Sequence, residues 1–385
     1  MRVCLISGSY PPIFCGIGDY VQRLAAGMAH QGAEVAVLTS AGQAQPVRNG
    51  SVTVWPIVPR WTLRAVGPIL AQLRDLAADV VNVQYPTQLY GRDPVVNLLP
   101  FFIRSRCGIP ALTTVHEFST YRRLGRLRIG LSMAASNGVI LPDRANLAAL
   151  AAAYPRWRGK LRHVPLGANI EPAPGADFAR DRQRASYGAR PSDVVLAYFG
   201  FVSSSKGIET LLLAFKQALA IRPDGLRLLL IANRQPADER YVAYHRQIAG
   251  LLDQLALGDR VIWTGYLPPE AVSAALLSAD VAVLPFADGA ALRRTTLLSA
   301  LAHGLPVIST LNPAPTGDAL DETQGLRLTP TGDAEALAGA ILTLAGDGDL
   351  RRRLSAAAVR FAAGFSWASI AAQTLAVYRD VREGR

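Results

Sequence analysis

The chain has 385 residues, more than one hydrophobic core usually supports, so two domains of similar size are expected. Half of the residues are hydrophobic and 18% are charged. Uninterrupted apolar runs are too short to span a bilayer, and the first residues lack the cleavage site of a signal peptide. The formal net charge of +11 favours anionic partners, namely phosphorylated substrates, nucleic acid or an acidic membrane surface. A soluble globular enzyme is the class that fits this composition.

The sequence predicts neither a metal site nor a disulfide framework. The cysteines are odd in number and lack metal-type spacing (Cys4, Cys15 and Cys107), and the five histidines are scattered. We therefore expect a cytoplasmic protein without a structural metal and without a cofactor.

The N-terminal half alternates short apolar runs with longer amphipathic ones. The predicted strands read RVCLISG, EVAVLTS, VTVWPIV, DVVNVQY, PALTTVH and GVILP, with helices over 17–31 and up to about residue 77. Short strands that alternate with helices predict βαβ units and a parallel sheet. This half is predicted to be a doubly wound, Rossmann-like domain over 1–168.

A stretch rich in Pro, Gly and Ala at 163–181 breaks this rhythm and is predicted to be the linker. The rhythm then restarts with DVVLAYFG, LRLLLIAN, RVIWTGY, DVAVLPF and PVIST, which predicts a second parallel domain over 185–365. Two surface helices and a terminal helix over 366–385 follow. The fold class is therefore α/β, and ligands are expected in a cleft at the carboxyl ends of the two sheets.

Two motifs of the first domain are candidates for ligand binding. Gly16 and Gly18 precede the first helix, where backbone amides can approach an anion or a sugar, although a plain glycine-rich turn is an equal alternative. His116 and Glu117 follow a predicted strand, where the histidine could bond a sugar hydroxyl or serve a purely structural role.

In the second domain, Gly200 ends a strand and Lys206 stands at the start of the next helix. A lysine is unfavourable there, because the helix dipole is positive at this end. The unfavourable interaction typically costs about 0.3 to 1 kcal/mol. A bound phosphate would offset that cost. Since only three of the 40 basic residues are lysines, we favour a phosphate site over a solvated side chain.

The order of motifs resembles that of a known family. GIGDY, VHEF, VPLGANI, GFVSSSKGIETLLLAF, TGYLPPEAVSAALLSADVAVLP, ALAHGLPVIST and a closing FSW resemble the retaining nucleotide-sugar glycosyltransferases of the GT-B fold, family 4. The resemblance covers nearly the whole chain. It implies transfer of a sugar from a nucleoside diphosphate sugar to an acceptor held mainly by the first domain, with the anomeric configuration kept and the terminal helix packed on the first domain.

The resemblance also implies roles for individual residues. Lys206 would bind the donor diphosphate, and His116 would lie beside the transferred sugar. Tyr266 and Leu267 would lie near the nucleotide base, and Gly200 near the nucleotide or the sugar. The loop from Gly16 to Gly18 would lie near the donor phosphate and the acceptor.

The sequence departs from the family where two glutamates are usual, since Ala291 and Ser299 stand there, and Phe201 replaces a common arginine. Arg293 and Arg294 are adjacent in the same region. We expect one or both to replace the lost positive charge at the diphosphate, and Asp288 to hold a sugar hydroxyl. The backbone amides of the residues that follow Asp288 are expected to help to bind the sugar: Gly289, Ala290, Ala291 and Leu292.

The expected function is a metal-independent retaining glycosyltransferase with a small-molecule, glycan or lipid-linked acceptor. Two alternatives stay open: a nucleotide-sugar epimerase on the same fold, and a non-catalytic GT-B partner subunit. Nucleic-acid binding is not expected, because aromatic residues are not interleaved with the basic ones. The segment 119–134 carries Arg122, Arg123, Arg126 and Arg128 among apolar residues, so it is either a peripheral membrane contact or a solvated helix face.

Overall fold

The computed structural model describes residues 1–13, 15–41, 47–85, 87–91, 93–118, 123–173, 175–233, 241–312 and 320–384. The chain divides into two compact units. Unit 1 consists of Met1–Gly167 together with Trp367–Arg385, and unit 2 consists of Ala168–Ser366. Unit 2 therefore also contains residues 168–184, most of which the sequence interpretation assigned to a linker.

Each unit is built on one sheet of short, apolar strands. The strands of unit 1 are β1 (Arg2–Ile6), β2 (Glu34–Ser40), β3 (Val47–Asn49), β4 (Val52–Val58), β5 (Val80–Tyr85), β6 (Ala111–Val115), β7 (Gly138–Leu141) and β8 (Leu161–His163). Those of unit 2 are β9 (Val194–Phe199), β10 (Leu226–Ile231), β11 (Val261–Trp263), β12 (Val281–Leu284), β13 (Val307–Thr310) and β14 (Leu326–Thr329). Most are rich in Val, Ile and Leu, as expected for parallel strands that are covered on both faces.

Helices connect the strands. They are α1 (Gly16–His30), α2 (Val66–Asp75), α3 (Val95–Cys107), α4 (Arg123–Ala135), α5 (Arg144–Ala153), α6 (Arg180–Ser186), α7 (Ile208–Ile221), α8 (Val242–Gln254), α9 (Pro269–Ser278), α10 (Thr295–Ala302), α11 (Ala334–Gly346), α12 (Gly348–Ala362) and α13 (Trp367–Arg382). Several begin at an aspartate whose carboxylate accepts a backbone N–H of the first turn: Asp143 before α5, Asp333 before α11 and Asp347 before α12.

The two sheets share the order of their central strands. The described strands of unit 1 lie in the order β3-β4-β2-β1-β5-β6-β7-β8, with β3 antiparallel and the rest parallel. Those of unit 2 lie in the order β11-β10-β9-β12-β13-β14 and are all parallel. In both sheets the order reverses beside the first strand, between β1 and β5 and between β9 and β12. Such a reversal opens a crevice at the carboxyl ends of the strands, where doubly wound folds bind ligands.

The terminal helix α13 completes the core of unit 1. Its residues Ile370 and Tyr378 are fully buried with Leu24 and Met28 of α1 against one face of the sheet, while α2 to α5 cover the other face. The Tyr378 hydroxyl contacts the amide of Asn82 on β5 at 2.6 Å. This arrangement matches the expectation that the last helix packs on the first half of the chain.

Three short strands were absent from the sequence interpretation: β3, β8 and β14. Each lies at an edge of its sheet and has only three or four residues. The central residues of β14 are only partly buried, and Arg327 is one of them. Apolar periodicity cannot reveal such strands because they have too few core-facing positions.

One helical stretch, Gly348–Arg382, is long and apolar enough to cross a membrane by length and composition alone. The stretch is interrupted by a 3-10 turn at Ala363–Phe365, which separates α12 from α13. Leu354 and Ala358 of α12 are buried in the core of unit 2, and α13 is buried in unit 1. Core packing therefore accounts for one apolar face of each helix.

The packing of α13 on α1 predicts the cost of one substitution. A Cβ atom at Gly27 would lie 2.9 Å from the backbone oxygen of Trp367 and 3.0 Å from Cβ of Ala371. We expect Gly27→Ala to lower the free energy of unfolding by about 1 to 3 kcal/mol, because a helix backbone must shift. Gly67→Ala in α2 is the control, since nothing lies within 4 Å of the new atom. Chemical denaturation of both variants measures the difference, and an equally stable Gly27→Ala variant would contradict this packing.

Candidate functional site

Two loops of unit 2 meet where the strand order reverses. One follows β9 and ends in a 3-10 turn at Ser204–Lys206, and the other follows β12. The backbone N–H of Ala287 donates to the carbonyl of Ser205 at 3.1 Å, which ties the loops together. Gly207 has φ 66°, and a Cβ atom there would lie 2.0 Å from the carbonyl oxygen of Pro285. The close approach of the loops therefore requires glycine at this position.

Two cationic side chains lie over one aromatic ring at this junction. The Nζ atom of Lys206 is 5.2 Å from the ring centre of Phe286, and Cζ of Arg294 is 4.7 Å from it. Phe286 itself is buried. A ring face attracts cations, so the buried aromatic partly offsets the repulsion between the two like charges.

Asp288 binds both arginines of the second loop. One carboxylate oxygen accepts from Arg293 at 3.0 Å, and the other accepts from Arg294. Burial raises the pKa of Asp288, but the two arginines hold it below its ordinary value. This carboxylate, which the sequence suggested as a sugar ligand, is thus engaged as the counter-ion of the arginines.

The cluster of Lys206, Arg293, Arg294 and Asp288 keeps a net positive charge. Burial lowers the pKa of Lys206 to about 8, and repulsion from Arg294 adds to this effect while Asp288 opposes it. Burial also lowers the pKa of Arg294. Three cations, of which only Arg293 and Arg294 are paired with a carboxylate, form a site suited to an anion.

Polar atoms without a partner lie beside these cations. Among the described residues, Nε of Arg294 and the hydroxyl of Thr296 are buried and make no hydrogen bond. Gly200 lies at the same place, because a Cβ atom built on it would be 3.7 Å from Thr296 and 3.4 Å from the hydroxyl of Tyr198. Buried polar groups normally have partners, so these atoms are candidates for ligand contacts.

The other predicted residues of unit 2 differ in their surroundings. Gly289 and Ala290 follow Asp288 and are fixed by backbone hydrogen bonds to Phe286 and Thr310. Ala291 is buried, and Leu292 is partly buried. Tyr266 and Leu267 follow the edge strand β11, two strands away from β9 at the same end of the sheet. Tyr266 is 64% exposed, so its ring is accessible.

Ser299, predicted to contact the nucleotide or sugar, lies elsewhere. It is fully buried in α10, and its hydroxyl contacts the side chain of Asn169 at 2.7 Å and the carbonyl of Thr295 at 2.9 Å. It also accepts the backbone N–H of Ile170 at 3.0 Å. These hydrogen bonds anchor the segment that starts unit 2 on α10.

A second polar cluster lies at the carboxyl ends of the strands in unit 1. Nε2 of His116, just after β6, is 2.9 Å from Oε1 of Gln84 on β5. The ring of Tyr20 from α1 packs edge-on against the imidazole, with the ring centres 4.8 Å apart. Burial lowers the pKa of His116 to about 4, so the imidazole is neutral at pH 7.

The hydrogen bond to Gln84 sets the tautomer of His116. An amide oxygen only accepts, so Nε2 carries the hydrogen and Nδ1 is an acceptor. Among the described residues, the amide nitrogen of Gln84 and the hydroxyls of Tyr20 and Ser9 are buried without a hydrogen-bond partner. The cluster therefore offers both donors and acceptors, a set that suits the hydroxyl groups of a sugar or polyol.

The two glycines predicted beside this cluster differ. Gly18 is buried, and a Cβ atom on it would lie 3.3 Å from the Ser9 hydroxyl, so the start of α1 packs closely on the loop after β1. Gly16 is exposed, with nothing within 4 Å of a built Cβ atom. The helix begins after Cys15 without a side-chain cap.

Sequence reasoning missed the aromatic ring under the cations and the amide beside the histidine. Phe286 ends the run DVAVLPF, where it looks like an ordinary core residue. Gln84 is the one signal that was available, since a polar side chain near the carboxyl end of a buried strand needs a partner. Among the described residues, histidine, cysteine and carboxylate side chains form no metal-binding group.

Two family models match the chain, one to each half. The model for the glycosyl transferase 4-like domain matches residues 15–167, and the model for glycosyl transferases group 1 matches residues 193–347. Together they span most of both units. The chain belongs to the group 1 glycosyltransferases.

Similar proteins include D-inositol 3-phosphate glycosyltransferases of several Corynebacterium species. That of Corynebacterium efficiens is 25% identical over 99% of this chain and 95% of its own. That of Corynebacterium glutamicum is 30% identical over 56% of this chain, a match that spans 51% of the relative.

Solved structures share the fold of this glycosyltransferase. Sucrose-phosphate synthase from Thermosynechococcus elongatus has a TM-score of 0.73 and 23% identity, and the match covers 100% of both chains. Anabaena Alr3699/HepE in complex with UDP and glucose has a TM-score of 0.70 and 17% identity, and the match covers 98% of each chain. The two-domain, Rossmann-like GT-B fold expected from the sequence is confirmed.

The environment of His116 predicts a pH dependence of stability. Its pKa falls from 6.5 to about 4 on folding, so the unfolded glycosyltransferase binds more protons between these values. We expect the free energy of unfolding to rise from pH 4 to 6.5, with this residue contributing up to about 1.4 kcal/mol per pH unit. Urea unfolding of the wild type and of His116→Asn over this range isolates the contribution. Parallel pH profiles for the two proteins would contradict a buried neutral imidazole.

Proposed function

We propose that this glycosyltransferase takes a nucleoside diphosphate sugar as donor and transfers the sugar with retention of anomeric configuration. The observation that carries the proposal is the cation cluster of unit 2. Lys206, Arg293 and Arg294 converge on one loop junction, and a diphosphate is the group of such a donor that bears negative charge.

The cluster also has the chemistry that the reaction needs. When the bond between the sugar and the diphosphate breaks, negative charge develops on the departing phosphate. Fixed cations near that phosphate stabilise the transition state without requiring a metal ion. Lys206 and Arg294 are held in place by the ring of Phe286 before any ligand arrives, so little reorganisation is required.

The polar cluster of unit 1 is proposed to bind hydroxyl groups. His116 would accept a hydrogen bond at Nδ1, and Gln84 would donate one from its free amide hydrogens. Among acceptors, a polyol phosphate is supported by the names of the relatives, which act on D-inositol 3-phosphate. We propose that the enzyme acts in the cytoplasm.

Nucleotide binding by the full chain tests the donor site. Isothermal titration with UDP and with ADP is suitable, since structures of the same fold contain these nucleotides. We expect Lys206→Ala to weaken binding at least about tenfold, because a charge-assisted contact is lost. Arg352→Ala is the control, since Arg352 is 76% exposed in a surface ion pair with Asp349. Equal affinities for Lys206→Ala and the wild type would remove this residue from the site.

The pH dependence of binding is a second readout for the same side chain. The pKa of Lys206 is about 8 without ligand, and a bound anion would raise it. Affinity should therefore fall as pH rises through 8, towards about tenfold per pH unit. Lys206→Arg keeps its charge in this range and should bind with a flat profile.

Asp288→Asn tests the counter-ion. Its carboxylate competes with an incoming diphosphate for Arg293 and Arg294. We expect its neutralisation to tighten nucleotide binding several-fold, about 1 kcal/mol, because the net charge of the cluster rises by one. Asp349→Asn provides a matched control on an exposed pair. Weaker binding by Asp288→Asn would show instead that the carboxylate serves mainly to position the arginines.

Turnover distinguishes the transferase from its alternatives. Nucleotide release that depends on D-inositol 3-phosphate or another hydroxyl acceptor supports transfer, and NMR of the product reports whether the configuration is retained. Epimerised sugar formed without acceptor would favour an epimerase. Nucleotide binding without turnover for any acceptor would favour a non-catalytic subunit.

A further inference from the structure

The outward face of α4 in unit 1 carries apolar side chains that the fold does not bury. Leu124 is 65% exposed, Leu127 is 62% exposed and Leu131 is 47% exposed. Residues three and seven apart lie on the same side of a helix, so the three leucines form one stripe.

The opposite face of α4 already fills the core position. Ile129 and Met133 are fully buried against the sheet. Asn97 of α3 holds the helix from the side through hydrogen bonds to the carbonyl of Arg128 and the hydroxyl of Ser132, both at 3.1 Å. The leucine stripe therefore lies on the side of α4 away from the core, and the part of it that is exposed to water is unfavourable there.

The apolar stripe continues onto α3. Phe101 is 56% exposed and lies one turn beyond Asn97 on the side of α3 that meets α4. Arg104, one further turn along, donates to the carbonyl of Ala135 at the end of α4 at 2.7 Å. We call the surface formed by Leu124, Leu127, Leu131 and Phe101 the leucine face.

The charged residues within α3 and α4 all have one sign. The helices α3 and α4 contain five arginines and no carboxylate. Arg123 and Arg126 are exposed at the start of α4, and Arg104 and Arg106 are exposed at the end of α3. Arg122, grouped with this helix from the sequence, lies outside the described residues.

An apolar stripe bordered by arginines matches the interface of an anionic bilayer. A helix that lies in the plane of a membrane buries its apolar side at the boundary between headgroups and acyl chains, while basic side chains bind lipid phosphates. A nucleic acid would satisfy the arginines but would leave the leucines in water. The combination of the two features selects the lipid surface.

We propose that the leucine face of unit 1 docks on anionic membrane surfaces. The leucines and Phe101 enter the interface, and the arginines of α3 and α4 bind the headgroup phosphates. The attachment is peripheral, and it involves no residue of the cation cluster or of the His116 cluster.

Flotation of the full chain with lipid vesicles tests the docking. We expect the protein to float with vesicles of phosphatidylcholine and phosphatidylglycerol, and to stay in solution with vesicles of phosphatidylcholine alone. Added salt should weaken the binding, since the arginine contacts are screened. The variant Leu124→Ser/Leu127→Ser should bind at least tenfold more weakly.

Two other exposed apolar residues provide matched controls. Leu63 is 63% exposed in unit 1 and Ile221 is 73% exposed in unit 2, and both lie outside α3 and α4. Leu63→Ser and Ile221→Ser should bind vesicles as the wild type does. Arg123→Glu/Arg126→Glu should lose binding to the anionic vesicles, which separates the charge contribution from the apolar one.

Several results would overturn the proposal. One is a wild type that floats with neither vesicle, and another is a double leucine variant that binds like the wild type. A third is self-association of the chain that the leucine variant abolishes, with no lipid binding, because the face would then join two copies. Since no substrate enters the assay, the result does not depend on the proposed transferase activity.

Discussion

Repulsion between like charges is the constraint on which the second unit depends. Lys206 and Arg294 lie over the same ring, and Arg293 adds a third positive charge. In water such a cluster would separate. Here the ring of Phe286, the carboxylate of Asp288 and the backbone bond that ties the two loops keep it together. The pKa of Lys206 is lowered mainly by burial and further by repulsion from Arg294 and Arg293, so the fold holds this cation in unfavourable surroundings. A fold tolerates such a cost where function requires it.

Much of the fold could be predicted because its strands are strongly apolar and its helices strongly periodic. β1, β2, β5, β9 and β12 all stand out as short Val, Leu and Ile runs. Edge strands such as β14 could not be predicted, since half-buried residues leave no period. The division of the chain depends on contacts far apart in sequence, and local patterns do not contain that information.

The site was predictable in its cations and not in their partners. The scarcity of lysine made Lys206 conspicuous, and the adjacent arginines were visible in the sequence. That Asp288 would take both arginines depends on the turn at 288–294, which no residue pattern specifies. The surroundings of Ser299 could not be predicted for a related reason. Its position relative to a motif was known, but the side of α10 on which its hydroxyl points was set by Asn169 and Ile170, which are distant in sequence.

Because the end of the chain packs in unit 1, the order in which the two units can be completed differs from the order in which they begin. The first 167 residues leave the ribosome with one side of their sheet covered by α1 alone, because α13 is synthesised later. Until then the amide of Asn82 lacks its hydrogen bond to Tyr378, and the apolar surface of α1 that α13 will cover faces solvent. The second half, which is continuous from 168 to 366, has all of its residues before the first half does. The residues of the C-terminal unit are therefore complete before those of the N-terminal unit, which needs Trp367–Arg382 to cover α1.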